Sequence, residues 1–141
     1  MTSPDDFWPL PAVEAEEPAP RTLLVRVRGT FDEAVGIELN AVLDEELDEC
    51  GASRILLDLS RVTLLTPEAL PVLRQLRQRC RVEKRHLVLV GAGHPPVHRP
   101  LRTSGELALF DIRANVQAAL SGQAGSGRGP AGRLPRPAAR S

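Results

Sequence analysis

Apolar and polar positions alternate in two rhythms across the middle of the chain. In "TLLVRVRG" (Thr22 to Gly29) the alternation from Leu24 through Arg28 has the period of a strand with one exposed face. "RILLDLS" (Arg54 to Ser60) and "HLVLVG" (His86 to Gly91) are short, nearly continuous apolar runs, as expected of central strands covered on both sides. "LALFDI" (Leu107 to Ile112) is a fourth candidate strand. Between them the spacing turns helical. After Asp32, a suitable N-cap, Val35, Leu39, Val42, Leu43 and Leu47 recur on one face, and Gly51 supplies the stop. After Thr66, also a suitable N-cap, Pro67 fits a first helical position, and Leu70, Leu73, Leu76 and Cys80 form one stripe. Pro71 falls inside that helix, where it removes a donor and is expected to kink or delay it. Short helices are predicted over Pro95 to Thr103 and from Asn115 to Leu120. Strand and helix in strict alternation imply an α/β fold with a mixed, mostly parallel sheet of four to five strands and about four helices.

Composition trims the ends of this picture. Residues 1–20 hold five prolines, five acidic residues and no basic one, a composition that predicts a flexible acidic arm. Within it Phe7, Trp8 and Leu10 form an apolar knot expected to dock on the domain or on a partner. Residues 121–141 carry four arginines, no acid and many Gly, Pro and Ala residues, and read as a disordered basic tail. The 141-residue chain thus holds one domain over residues 21–120. With 18 basic and 18 acidic residues the formal net charge is zero, which favours neither nucleic acid nor an anionic membrane as partner. No run approaches a membrane span and no basic signal opens the chain, so a cytoplasmic protein is expected.

Candidate chemistry is sparse. Cys50 and Cys80 lack the spacing of a zinc site or a disulfide framework and read as small buried thiols near helix ends. His94 and His98 stand four apart, but two prolines lie between them and no third ligand is near, so they read as solvated loop residues and no metal is expected. His86 reads as a partly buried histidine at a strand entrance rather than a catalytic base. Gly91 to Gly93 follow a strand as a dinucleotide fingerprint would, but the third glycine is missing. Asp58 at a strand end has the look of a catalytic carboxylate without partners in sequence. A non-enzymatic protein without cofactor is the expectation. More telling is the acidic run Asp44, Glu45, Glu46, Asp48 and Glu49 at a helix C-terminus, where the macrodipole disfavours anions; it marks a candidate partner patch.

Three stretches taken together resemble STAS domains, the anti-sigma factor antagonists (anti-anti-sigma factors) of bacterial partner-switching systems. Gly29 to Asp32 match a Gly-x-x-Asp turn, Asp58 to Ser60 an Asp-Leu-Ser/Thr cluster, and Leu101 to Phe110 a Leu-x-x-[Ser/Thr]-Gly-x-x-x-[Leu/Ile]-Phe stretch. The resemblance covers residues 21–120. STAS domains usually begin with an additional edge strand, so either "FWPLPAV" supplies a shortened one or the sheet has lost it.

The resemblance implies a functional centre at the start of the second helix, where the family carries Asp-Ser-Ser/Thr-Gly-Leu and a partner kinase phosphorylates the first serine. Here Thr66, Pro67, Glu68, Ala69 and Leu70 occupy those places, and only Leu70 is retained. Proline has no hydroxyl to phosphorylate. Thr66 remains as a weak displaced acceptor, at a loss of about 1 kcal/mol of capping. The implied function is contact with an anti-sigma factor or related histidine-kinase-like ATPase as a regulator of transcription; the oligomeric state is open, with a monomer favoured. Two states are open: a constitutive binder, or a domain silenced because Glu68 imitates the phosphorylated serine. A ligand- or nucleotide-responsive scaffold subunit, using a strand-end crevice near Asp58 and Gly91, is the alternative.

Overall fold

A computed structural model describes residues 11–122. Five strands lie in chain order across one sheet: β1 (Val13–Ala19), β2 (Thr22–Phe31), β3 (Arg54–Leu65), β4 (His86–Val90) and β5 (Asp111–Arg113). β1 pairs antiparallel with β2, and every other pairing is parallel. Each parallel connection carries a helix: α1 (Glu33–Cys50), α2 (Ala69–Val82) and α3 (Pro95–Ser104), the last followed by a 3-10 turn at Glu106–Leu109. The helix α4 (Val116–Gly122) ends the described fold. The α/β architecture and the mixed, mostly parallel sheet are therefore as the periodicity implies.

Strand parity distributes the side chains. Leu23, Val25, Ile55, Leu57 and Leu89 face one side, where Leu39, Leu43, Leu73, Leu76, Val97 and Leu101 of α1, α2 and α3 cover them. Leu24, Leu56, Val88 and Val90 face the other side and meet Ala119 of α4. β3 and β4 are thus covered on both faces, which is why they read as continuous apolar runs. Beyond α4 the second face is ionic: Arg26 pairs with Glu16 at 2.9 Å, and Arg28 pairs with Glu14.

Those pairs correct the expected acidic arm. Val13–Ala19 form the edge strand, with Val13 opposite Val27 and Glu14 opposite Arg26, so the domain begins before residue 21. The glutamates that make the segment look disordered are the partners of the β2 arginines. Pro18 is tolerated because an edge strand leaves half of its N–H groups unpaired. The edge strand starts at Val13, the last residue of "FWPLPAV", and runs on into the acidic stretch, so the sheet has not lost it. Phe7, Trp8 and Leu10, and the tail beyond Gly122, lie outside the described residues.

Two irregularities carry β3 past its expected end. Between Arg26↔Asp58 and Arg28↔Arg61, and again between Gly29↔Val62 and Thr30↔Leu64, β3 holds one residue more than β2. These bulges break the period of two after Ser60, although the strand runs on to Leu65. Gly29, with φ of 79°, sits at the second bulge inside β2 rather than in a turn after it. Leu107 to Leu109 belong to the 3-10 turn, and the last strand is only Asp111–Arg113.

Candidate functional site: the start of the second helix and its groove

The C-terminal ends of the parallel strands are where α1, α2 and α3 begin, and the second of these junctions holds the sequence-predicted site. Phe31, fully buried at the end of β2, presents its carbonyl to Thr66, whose N–H and Oγ1 both donate to it at 3.1 Å. The Thr66 hydroxyl is thus spent on β2 and does not cap the helix, contrary to the sequence expectation. Pro67 and Glu68 instead form a turn closed by Ala69 N–H to the Thr66 carbonyl at 3.0 Å and Leu70 N–H to the Pro67 carbonyl at 3.2 Å. α2 begins at Ala69, so Pro71 is its third residue, where a backbone N–H has no intrahelical acceptor in any case. Of the two outcomes expected of Pro71, the structure shows the delayed start, at Ala69 rather than Pro67. Pro67 and Glu68 are exposed, Ala69 is buried, and Thr66 and Leu70 are half-buried.

Beside this turn lies a groove that sequence reasoning missed. α1 and α2 approach closely because Gly36 faces Val72; a Cβ on Gly36 would stand 2.6 Å from Val72 Cγ2. Their first two turns line an open groove of about 310 Å³ with four apolar or small residues, Gly36, Ile37, Pro71 and Val72, and four polar ones, Glu33, Asn40, Glu68 and Gln75. Ile37 is 67 % exposed, and Leu64, just before the turn, is 51 % exposed. A signal existed: Ile37 stands off the Val35, Leu39, Leu43 stripe, and a helix-interior glycine beside it costs about 1 kcal/mol relative to alanine unless something packs there.

The acidic patch is elsewhere. Asp44 pairs with Arg79 at 2.8 Å near the C-terminus of α2. Ten residues of helix separate Arg79 from Ala69, about 15 Å. Glu45, Asp48 and Glu49 are exposed, Glu46 is half-buried, and all lie beyond Asp44 at the far end of α1. The patch therefore does not flank the α2 start, because parallel crossovers place both C-termini at the opposite end of the sheet.

The other candidates have local duties. Asp58 Oδ1 accepts from Ser60 N–H at 2.9 Å, and its Oδ2 lies 3.7 Å from Arg26 Nε. Ser60 also fills the space beside Gly91, whose added Cβ would stand 2.6 Å from Ser60 Cβ. His94 donates from Nε2 to the Val62 carbonyl at 2.8 Å, so it is a tie between loop and strand rather than a free imidazole. His86 is exposed, not partly buried, and meets Asp111 at 2.8 Å. Both cysteines are free thiols, Cys80 buried and Cys50 half-buried. Burial pushes the Cys80 thiol up to about 11 from its ordinary 9.0, with the Glu83 carboxylate adding to the shift against Arg79 and Arg85. The folded state therefore favours the protonated thiol, and that contribution is lost as pH rises from about 9 towards 11. Below pH 9, a thiol-titrating disulfide reagent is expected to label Cys50 first and Cys80 only after denaturation; equal rates in the native protein would show that Cys80 is not buried.

Comparison with known proteins fits this frame. The STAS domain family matches residues 12–119, starting at the β1 edge. No curated protein sequence matches. Among solved structures, an anti-sigma factor antagonist from Mycobacterium paratuberculosis is similar at 22% identity and TM-score 0.63, covering 77% of this chain and 90% of its own. The phosphorylated form of the Bacillus cell fate determinant SpoIIAA is similar at 14% identity and TM-score 0.60, covering 77% and 96%. A sulfate transporter family protein from Wolinella succinogenes is similar at 18% identity and TM-score 0.65, covering 75% and 87%. At these identities the likeness is one of fold, shared by proteins of different roles. The family match over the whole described sheet, edge strand included, shows that the chain belongs to the STAS domain family.

Proposed function

We propose that this chain is an anti-sigma factor antagonist-like regulator that works by protein–protein contact in the bacterial cytoplasm, without catalysis and without a serine phosphorylation switch. The observation that carries the reading is the α2 start: an exposed Pro67–Glu68 turn, where the resemblance puts the family's phosphoacceptor, beside a groove of mixed polar and apolar lining in which Ile37 is 67 % exposed. A single large apolar side chain in water is ordinary, but one lining a groove together with carboxylates and amides fits a contact surface. SpoIIAA, a protein of the same fold, exists in unphosphorylated and phosphorylated forms. Pro67, where the resemblance places the family's phosphoacceptor, has no hydroxyl, and the neighbouring Thr66 hydroxyl is bonded to Phe31.

Of the two states left open by the sequence, constitutive binding fits better. Glu68 brings one negative charge to the turn, against roughly −1.5 to −2 for a phosphate. The partner in this reading is an anti-sigma factor or a related histidine-kinase-like ATPase. Capture from native lysate by the wild-type chain and by Ile37→Glu tests it. A sigma-regulating ATPase retained by the wild type and weakened at least tenfold by Ile37→Glu is expected, the scale at which a truncated interface anchor acts. Failure of both chains to retain any such protein would overturn it.

A further inference from the structure

The two long helices lie side by side and carry opposite charge. α1 holds seven carboxylates and no basic residue, whereas α2 holds four arginines and no acidic residue. Among the described residues, Asp44 to Arg79 is the one ion pair between them. Opposite its buried stripe of Leu39, Leu43 and Leu47, α1 presents Ala34, Glu38, Ala41 and Glu45, all exposed. Opposite Leu73, Leu76 and Cys80, α2 presents Pro71, Arg74, Gln78 and Arg81, also exposed. Glu38, Glu45 and Arg81 make no ion pair among the described residues. Arg74 donates to the buried Glu106 carboxylate at 2.7 Å, which fixes its guanidinium while leaving the side chain 52 % exposed. The heights of these charges agree. Gly36 packs on Val72 and Asp44 pairs with Arg79, so residues at one height on the two parallel helices are 35 or 36 positions apart. Glu38 is therefore level with Arg74, and Glu45 with Arg81, to within one residue, or about 1.5 Å of rise.

We propose that two copies of this chain associate face to face through these ridges, about a two-fold axis parallel to α1 and α2, with α1 of each copy on α2 of the other. Such an axis keeps every residue at its own height, so Glu38 meets Arg74 of the second copy and Glu45 meets Arg81, each twice. The other face-to-face arrangement, α1 on α1, sets seven carboxylates against seven. A self-complementary surface of this kind closes at two copies, the commonest form of homo-oligomer. Ala34 and Ala41 leave room for the helices to approach, and Ile37, on the α2 side of the α1 ridge, comes near the axis. Glu33 and Glu68 gather at the helix starts and oppose the association, so the dimer is reversible and concentration-dependent. Its ion pairs are exposed, so they set the arrangement of the two copies more than they add affinity, and salt weakens them. The dimer takes the place of the monomer favoured by the sequence. It covers Ile37 and so competes with the partner; that competition rests on the proposed function, whereas the dimer does not.

Sedimentation of the full chain over a concentration series tests this. A reversible passage from 15.3 kDa to twice that mass is expected. Glu45→Arg and Arg81→Glu are each expected to weaken the dimer at least about tenfold, because each reversal sets like charges together at two places. Arg61→Glu, an equal charge change on the exposed part of β3, should leave it unaltered. All three variants should keep the wild-type circular dichroism. An equimolar mixture of Glu45→Arg and Arg81→Glu should dimerise again, since both contacts then join opposite charges. A chain that stays at 15.3 kDa up to about 1 mM would overturn the proposal. So would single variants that dimerise like the wild type, an equal loss in Arg61→Glu, or a mixture that stays monomeric. A mass that grows beyond two copies would also overturn it, since it would show a head-to-tail contact in place of the two-fold one.

Discussion

Replacing Phe31 with alanine is expected to cost about 3–5 kcal/mol, the range for emptying a fully buried aromatic site. Phe31 is fully buried and, among the described residues, is the largest of the completely enclosed side chains. It closes the helix-covered core at the end of β2, directly beneath the junction with α2. Its own carbonyl receives both donors of Thr66, so any backbone shift that relaxes the cavity is passed to the Pro67–Glu68 turn. The substitution should therefore lower the urea midpoint and weaken partner capture together, while Leu57→Ala, equally buried but at mid-sheet, lowers the midpoint with less effect on the turn. A loss below about 1 kcal/mol for Phe31→Ala would be that of a surface position and would contradict its place in the core.

Gly91→Ala is expected to be nearly as damaging, at about 2–5 kcal/mol, for two separable reasons. Its φ of 68° lies in the left-handed region, which costs a residue with a Cβ about 1–2 kcal/mol. The added Cβ would also stand 2.6 Å from Ser60 Cβ and 3.0 Å from Ser60 Cα, and a backbone neighbour cannot rotate away as a long side chain does. Overpacking of this kind adds about 1–3 kcal/mol. Gly51→Ala separates the two, since Gly51 has a φ of 57° and nothing within 4 Å of an added Cβ. Urea unfolding should place Gly51→Ala near the strain cost alone and Gly91→Ala well above it; equal costs would mean that Ser60 does not crowd Gly91.

How much was legible follows from what each signal reports. The stripes Leu39, Leu43, Leu47 and Leu73, Leu76, Cys80 announce both long helices, because their apolar faces meet the sheet at a regular period. Ile55 to Leu57 and Leu87 to Val90 announce the central strands, because both faces are covered. β1 was hidden because Glu14 and Glu16 look like solvated charges until their partners Arg28 and Arg26 are brought alongside. The end of β3 was hidden because two bulges interrupt its alternation. Thr66 was misread as a cap because a residue with good capping chemistry also bonds well to a neighbouring strand, and only tertiary structure chooses between them. The groove and the acidic patch show the same limit: helical spacing places Ile37 and Asp44 on their own helix, while the parallel crossovers decide what each meets across it.

The central claim is a contact that phosphorylation does not switch, and the most direct measurement is the intact mass of the chain recovered from its complex with the captured ATPase before and after ATP is added. An unchanged mass and a complex that persists are expected, because Pro67 has no hydroxyl and Thr66 donates its own to Phe31. In the same experiment Pro67→Ser with Glu68→Ser should gain a single phosphate and release the partner. A phosphate on the wild-type chain, on Thr66 or elsewhere, accompanied by release of the partner, would contradict the claim.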